Sequence, residues 1–256
     1  MTIPLQPGII YGPVNSRRLG RSLGINLLPV GLKICTFNCV YCQYGWTMVH
    51  DQRLVDEDLW PRVETVVEAI ERALQTVQPA PAYLTFSGNG EPSLHPAFSQ
   101  LVDEVIRLRD LYASSSRTAI LSNSTTILNK TVREAIAKLD VRIMKLDCGS
   151  DKCFQSYNRP CRGIELTAIV QGLSELSNVT IQSLFSDGPE GNFNSENISA
   201  WIERLKMISP LRVQIYTLDR GYPSDQIFPV TKEKLAELGK RLQKENIKAE
   251  VYCRDK

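Results

Sequence analysis

Short apolar runs alternate with amphipathic helical stripes almost to the end of this 256-residue chain. The runs are "SLGINLLP", "AYLTFSG", "RTAILSN", "VRIMKLD", "VTIQSLF", "VQIYTLD" and "IKAEVY", rich in Val, Ile, Leu, Thr and Tyr. Several are nearly continuous in apolar residues, as strands buried on both faces tend to be. Between them the helical period recurs. In 58–78, Val63, Val66, Val67, Ile70, Leu74 and Val77 fall on one stripe, and Pro61 suits a first turn. Residues 96–111 place Phe98, Leu101, Val102, Val105 and Leu108 the same way, and helices also fit 130–139, 165–176, 195–208 and 231–245. Such alternation predicts a parallel sheet with right-handed crossovers. Six units and a final strand predict one domain over 1–256, an α/β partial (β/α)6 TIM-like barrel with one extra C-terminal strand.

That fold fixes where chemistry belongs, because functional groups of parallel barrels gather on loops at the C-terminal ends of strands. After the first run comes "LKICTFNCVYCQYGWT", with Cys35, Cys39 and Cys42 at CxxxCxxC spacing. "SGNGEPSLHP" follows the second, "SNSTT" the third and "DCGSDKC" the fourth, so all four face one mouth.

Three thiolates admit two readings. With His50 they would close a tetrahedral Cys3His zinc site. Alternatively they hold three irons of a [4Fe–4S] cluster and leave the fourth iron open to a bidentate small molecule. No apolar run reaches the roughly 20 residues of a membrane span, and the N-terminus lacks a secretory pattern, so a cytoplasmic protein is expected. In that compartment seven cysteines point to metal or catalysis rather than disulfides. The net charge of +2, from 30 basic and 28 acidic side chains, gives no indication of nucleic acid or a membrane as partner. The charge is uneven: residues 1–50 carry Arg17, Arg18, Arg21 and Lys33 and no acid. Such cations suit an anionic cluster or an acidic substrate.

CxxxCxxC with Tyr41 before its last cysteine resembles the signature of the radical S-adenosylmethionine superfamily. "SGNGEP" resembles that superfamily's GGEP motif, with Asn89 where its first Gly usually stands. "SRRLGRSLGINLLP", "TFSGNGEPSLHP", "LSNSTT" and "VQIYTLDR" resemble a small Fe–S oxidoreductase subgroup loosely similar to wybutosine-synthesis enzymes. The resemblance spans about residue 20 to 252. It implies a [4Fe–4S] cluster on Cys35, Cys39 and Cys42, with S-adenosylmethionine beside it. It further implies adenine contacts near Tyr41, and a turn of Gly88, Asn89, Gly90, Glu91 and Pro92 that holds the cofactor's ammonium, with Glu91 fixing the turn. Ribose contacts are implied for Lys145 and Asp147, which alternate to one side of a strand, and for Ser122 and Asn123. Arg159 is a candidate partner for the cofactor carboxylate. The activity implied is reductive cleavage of the cofactor to a carbon radical that modifies a substrate, fed by a low-potential flavodoxin- or ferredoxin-like electron donor. A small-molecule substrate is expected, since no appended domain recognises tRNA or a peptide leader.

Cys148, Cys153 and Cys161 depart from the subgroup. They read either as a second iron–sulfur cluster, with Cys253 a distant fourth ligand, or as a trigonal holder for a soft centre such as arsenite. The latter would accept a 3-amino-3-carboxypropyl group from the cofactor. Ordinary buried thiols are the plain alternative, and a non-enzymatic cluster- or zinc-binding regulator is the third class.

Overall fold

The computed structural model describes residues 2–253, so Met1 and 254–256 of the expected domain lie outside the described residues. Seven parallel strands form the body: β2 (Gly20–Ile25), β3 (Tyr83–Phe86), β4 (Arg117–Ser122), β5 (Val141–Lys145), β6 (Val179–Asp187), β7 (Arg212–Thr217) and, last in the chain, β9 (Ala249–Tyr252). They pair in that order and the sheet stays open, a partial barrel. Helices α1 (Val63–Thr76), α2 (Phe98–Tyr112), α3 (Lys130–Lys138), α5 (Leu166–Ser174), α6 (Ser195–Ile208) and α7 (Lys232–Lys244) correspond to the six stripes. Three begin at side-chain caps: Asn129 accepts from the N–H of Val132, Asn194 from Asn197, and Thr231 from Lys234. Pro61 lies just outside α1, whose cap is Arg62.

Alternation along the strands sorts the two faces. Leu23, Ile25, Leu84, Phe86, Ile120, Met144, Ile181, Val213 and Ile215 join the helices in the core. The other face is mixed: Leu19, Ala119 of β4 and Ile143 of β5 form a small apolar cluster, as strands apolar on both sides would, while its remainder is polar. There Ser22 bonds Thr85 at 2.6 Å, and Gln182 donates to Gln214 at 3.3 Å, which donates to Glu250 at 3.3 Å. Buried amides are tolerated because each has a partner.

Three elements escaped the sequence reading. β1 (Ile10–Ser16) pairs antiparallel with β2 at the edge of the sheet, with a bulge between Tyr11 and Val14. Pro13 is acceptable there because an edge strand need not donate every N–H. Gly24 makes the pairing possible, since a Cβ on it would lie 2.1 Å from the Tyr11 ring. A two-residue β8 (Phe228–Pro229) pairs with β6. Finally, a one-turn α4 (Asp151–Cys153), capped by Ser150, runs into a π-helical turn over Phe154–Asn158, ended by left-handed Arg159.

Candidate active site

The cysteine loop leaves β2 and crosses the C-terminal rim of the sheet. Its backbone is held on two sides. Ile34 donates to the carbonyl of Asn89 and accepts from Glu91, so it pairs with the Gly-Glu-Pro turn like a strand. On the other side Asn38 donates to the Asn158 carbonyl at 2.9 Å and Val40 to that of Tyr157 at 3.1 Å. The π-turn thus exists to present its last carbonyls and side chains to the cysteines, a use that suits this irregular geometry.

Each of two thiols receives a side-chain amide. Asn123 Nδ2 lies 3.4 Å from Cys35 Sγ, and Asn158 Nδ2 lies 3.4 Å from Cys39 Sγ. Burial pushes the Cys35 thiol up to about 12 and Cys39 to about 11, so neither ionises readily on its own. A metal must displace those protons, and the two amides then bond to thiolate sulfur, which is the stronger acceptor. Three thiols on one loop, two of them met by amide donors, suit three corners of an iron–sulfur cluster. Burial, and then Lys33, lower the basicity of His50.

The Gly-Glu-Pro turn is built from close approaches. Gly90 has φ +145°, and a Cβ there would lie 1.8 Å from the Ile34 carbonyl oxygen. At Gly88, φ +143°, it would strike Asn26. Glu91 is buried and accepts from Ser93 N at 3.1 Å, Ser93 Oγ at 2.5 Å and Asn123 N at 2.5 Å. It ties the turn to the end of β4, and Pro92 starts a single 3-10 turn behind it. Desolvation pushes its carboxyl up against these bonds. Asn89 points away from the turn. Its amide pairs with the backbone of Gln6, accepting at 2.6 Å and donating at 3.0 Å, so it fastens the N-terminal segment.

Lys145 and Asp147, on one side of β5 and its extension, form an ion pair at 2.9 Å. Burial pushes Lys145 down, but Asp147 and the Tyr216 hydroxyl outweigh it and hold the ammonium well above the ordinary lysine range. The ammonium also lies over the Tyr41 ring at 4.9 Å and the Tyr216 ring at 5.0 Å. Asp147 accepts as well from Leu184 N at 2.8 Å, Asn158 Nδ2 at 2.9 Å and the Tyr41 hydroxyl. Its lone pairs are thus occupied within the protein, which leaves the ribose role of the sequence reading without a free acceptor. Ser122 turns back to accept from Ser124 N at 3.0 Å.

Arg159 differs from its expected role as a carboxylate clamp. It bridges to Glu190 at 2.7 Å and covers the Trp46 ring at 4.9 Å, committed to the outer side of the loop. Arg17 pairs with Asp219, Arg18 stacks on Tyr216 at 4.6 Å, and Arg21 bonds the carbonyls of Gln78 and Pro79. These three are therefore not counter-charges for the cysteines.

The second cysteine set does not converge. Cys148 and Cys153 are joined in a buried disulfide, close because Ser150 turns the chain directly back into α4. Cys161 bonds through its N–H to the Thr36 carbonyl at 2.8 Å and lines a separate cleft of about 740 Å³ with Asp51, Arg53, His95 and Arg162. Cys253 follows β9 at the far edge of the sheet. Neither a second cluster nor a three-thiol holder is assembled.

The family model of the radical SAM superfamily matches residues 31–206. A UPF0026 protein of Helicobacter pylori (strain ATCC 700392 / 26695) is 30% identical over 217 residues, which cover 84% of this chain and 67% of that protein. A UPF0026 protein of Synechocystis sp. is 30% identical over 221 residues, 84% of this chain and 77% of that one. Among solved structures, TYW1 with a lysine–pyruvate adduct bound superposes with a TM-score of 0.65 at 17% identity, covering 89% of this chain and 74% of that one. Streptococcus suis SuiB bound to S-adenosylmethionine does so at 0.63 and 12%, covering 89% and 50%. The extent of the family match, on the residues that carry the cysteine loop and the turn beside it, leaves one conclusion: the chain belongs to the radical SAM superfamily.

Proposed function

We propose that this protein is a radical enzyme in which Cys35, Cys39 and Cys42 hold a [4Fe–4S] cluster and the Gly88–Pro92 turn holds the amino-acid end of S-adenosylmethionine. One observation carries the reading: a loop of three buried or partly buried thiols, two of them met by amide donors, is hydrogen-bonded through Ile34 to the Gly-Glu-Pro turn. When bound, the two groups supply one-electron cleavage of a carbon–sulfur bond, giving a carbon radical. The chain's own part is positional. Glu91 keeps the turn against β4, Asn123 and Asn158 orient the thiolates, and Tyr41 is anchored to Asp147 so that the loop cannot swing off the rim. The polar wall of Gln182, Gln214 and Tyr216 faces the interior of the partial barrel and suits a small hydrophilic substrate. Lys145 is a poor candidate for covalent capture of a carbonyl compound, because Asp147 keeps it protonated. A flavodoxin- or ferredoxin-like donor would deliver the electron. The cytoplasm suits oxygen-sensitive chemistry, and among the described residues no helix is long and apolar enough to cross a membrane.

Anaerobic reconstitution tests the reading. Iron and sulfide should each reach about four per chain rather than eight. Reduction in the presence of S-adenosylmethionine should yield 5′-deoxyadenosine. Methylthioadenosine in its place would transfer the protein to the aminocarboxypropyl class, and one zinc per chain would end the radical assignment.

A further inference from the structure

Lys33 is the least expected residue of the cysteine loop. It lies two positions before Cys35 and is 2% exposed. Its ammonium makes one hydrogen bond, to the carbonyl of Gly45 at 2.5 Å. Gly45 in turn donates to the carbonyl of Cys42 at 2.9 Å, so the ammonium sits where the two ends of the thiol-bearing loop meet. The Lys33 backbone accepts from Val49 at 3.1 Å, which fixes the root of the side chain. Among the described residues no carboxylate lies within ion-pair distance of it. This contrasts with Lys145, whose burial is matched by Asp147.

A buried ammonium bonded to one carbonyl is costly, because a single neutral acceptor does not replace its hydration. Such a group persists where an anion completes it. The anion must lie close to Cys35 and to the Cys42–Gly45 turn, and no side chain there supplies it. A cubane with three thiolate ligands is anionic, and more so after reduction.

We infer that Lys33 is a dedicated counter-charge for the cluster on Cys35, Cys39 and Cys42, placed to favour its reduced state. The inference rests on the cluster assignment above. Lys33 acts through the cluster and touches no substrate, so it is a tuning residue and not a catalytic one. Of the four cations in the acid-free first fifty residues, it is the one whose ammonium sits at the base of the thiol-bearing loop, Arg17, Arg18 and Arg21 being engaged elsewhere.

Two variants separate charge from mere stitching of the loop. Lys33→Gln keeps a donor for the Gly45 carbonyl and loses the charge, and Lys33→Met loses both. Two readouts are needed, the melting temperature of the iron-free protein and the midpoint potential of the reconstituted cluster followed by electron paramagnetic resonance. Relief of an uncompensated charge should leave the iron-free variants as stable as the parent or more so. The same variants should be harder to reduce, by about tenfold in the reduced-to-oxidised ratio at fixed potential, or about 59 mV for one electron. Gln and Met should shift the potential alike, and Lys33→Arg should restore it. A parental midpoint in both uncharged variants overturns the inference. So does an iron-free Lys33→Gln protein that melts well below the parent or fails to fold, since the lysine would then be structural. A parent that takes up no iron and sulfide sinks the cluster assignment, and the melting arm alone then decides whether the ammonium is uncompensated.

Discussion

Two aspartates flank β5 and serve opposite ends of the sheet. Asp140, just before the strand, accepts from Thr118 N at 2.8 Å, Thr118 Oγ1 at 3.0 Å and Arg109 Nη1 at 3.0 Å. Its partners come from β4 and α2, and it remains partly open to solvent. Asp147, two residues beyond the strand, has a side chain with no exposed surface. It gathers Lys145, Leu184, Asn158 and Tyr41, from β5, β6, the π-turn and the cysteine loop. The lower carboxylate closes a floor between neighbours. The upper one sets four separately folded pieces in a common frame. The same side-chain chemistry thus fastens the scaffold at one rim and aligns a reactive loop at the other, as parallel barrels require when stability and chemistry sit at opposite ends.

This contrast breaks most sharply at the cysteines. Single Ala replacements of Cys35, Cys39 or Cys42 should cut iron from about four per chain to near zero and abolish reductive cleavage of the cofactor. Circular dichroism of the iron-free protein should scarcely move and its melting temperature should fall only slightly, because Cys39 is a small member of the core and Cys35 and Cys42 pack only against its edge. Full cleavage in all three variants would remove the loop from the site.

Asp147→Ala should cost about 3–5 kcal/mol in denaturant unfolding, since it leaves Lys145 buried beside two aromatic rings without its anion. Adding Lys145→Met to that variant should recover part of the loss. If the double variant is no better than the single one, the ion pair is not what makes Asp147 structural.

Glu91→Ala should weaken S-adenosylmethionine binding by about 5- to 150-fold, the equivalent of about 1–3 kcal/mol for hydrogen bonds to a buried carboxylate. Equilibrium dialysis against the labelled cofactor measures it, and unchanged affinity would show that the turn holds its shape without this anchor.

How far these features were legible follows from how local they are. The α/β alternation shows in the sequence because helical and strand periods are written within each element. The cysteine spacing and the Gly-Glu-Pro turn are equally local. β1 was hidden because Gly12 and Pro13 interrupt its alternation and because its pairing depends on Tyr11 fitting over Gly24, a contact between strands. The polar part of the inner face was present as Gln182 and Gln214 within apolar runs, but their mutual satisfaction appears only once β6 and β7 pair. Asp147 showed as a carboxylate on the correct side of its strand. That four partners would consume it could not be read, since Tyr41 and Leu184 are distant in sequence and Asn158 is brought back only by the π-turn. Cys148 and Cys153 looked like two members of a triad, until α4 brought those two together and the π-turn carried Cys161 away.

The smallest expected effect belongs to the floor, and it sharpens the comparison because it should leave the chemistry untouched. Burial nudges the Asp140 carboxyl up, but the two Thr118 bonds and Arg109 outweigh it and hold the carboxyl below its ordinary value. A carboxylate with a depressed pKa in the folded state adds stability that is complete above the unfolded value of 3.8. That stability fades as pH falls through the lower, folded value. Asp140→Ala should therefore destabilise the protein by about 1 kcal/mol at neutral pH, less in high salt because the group is partly exposed. The difference from the parent should shrink as the pH drops below about 4. Iron content and the yield of cofactor fragments per reduced cluster should match the parent. Urea unfolding of both proteins between pH 3 and 7 gives the test. A gap that persists unchanged at the acid end would mean that Asp140 acts through packing rather than charge, and a loss of iron would mean that the two rims are not separable.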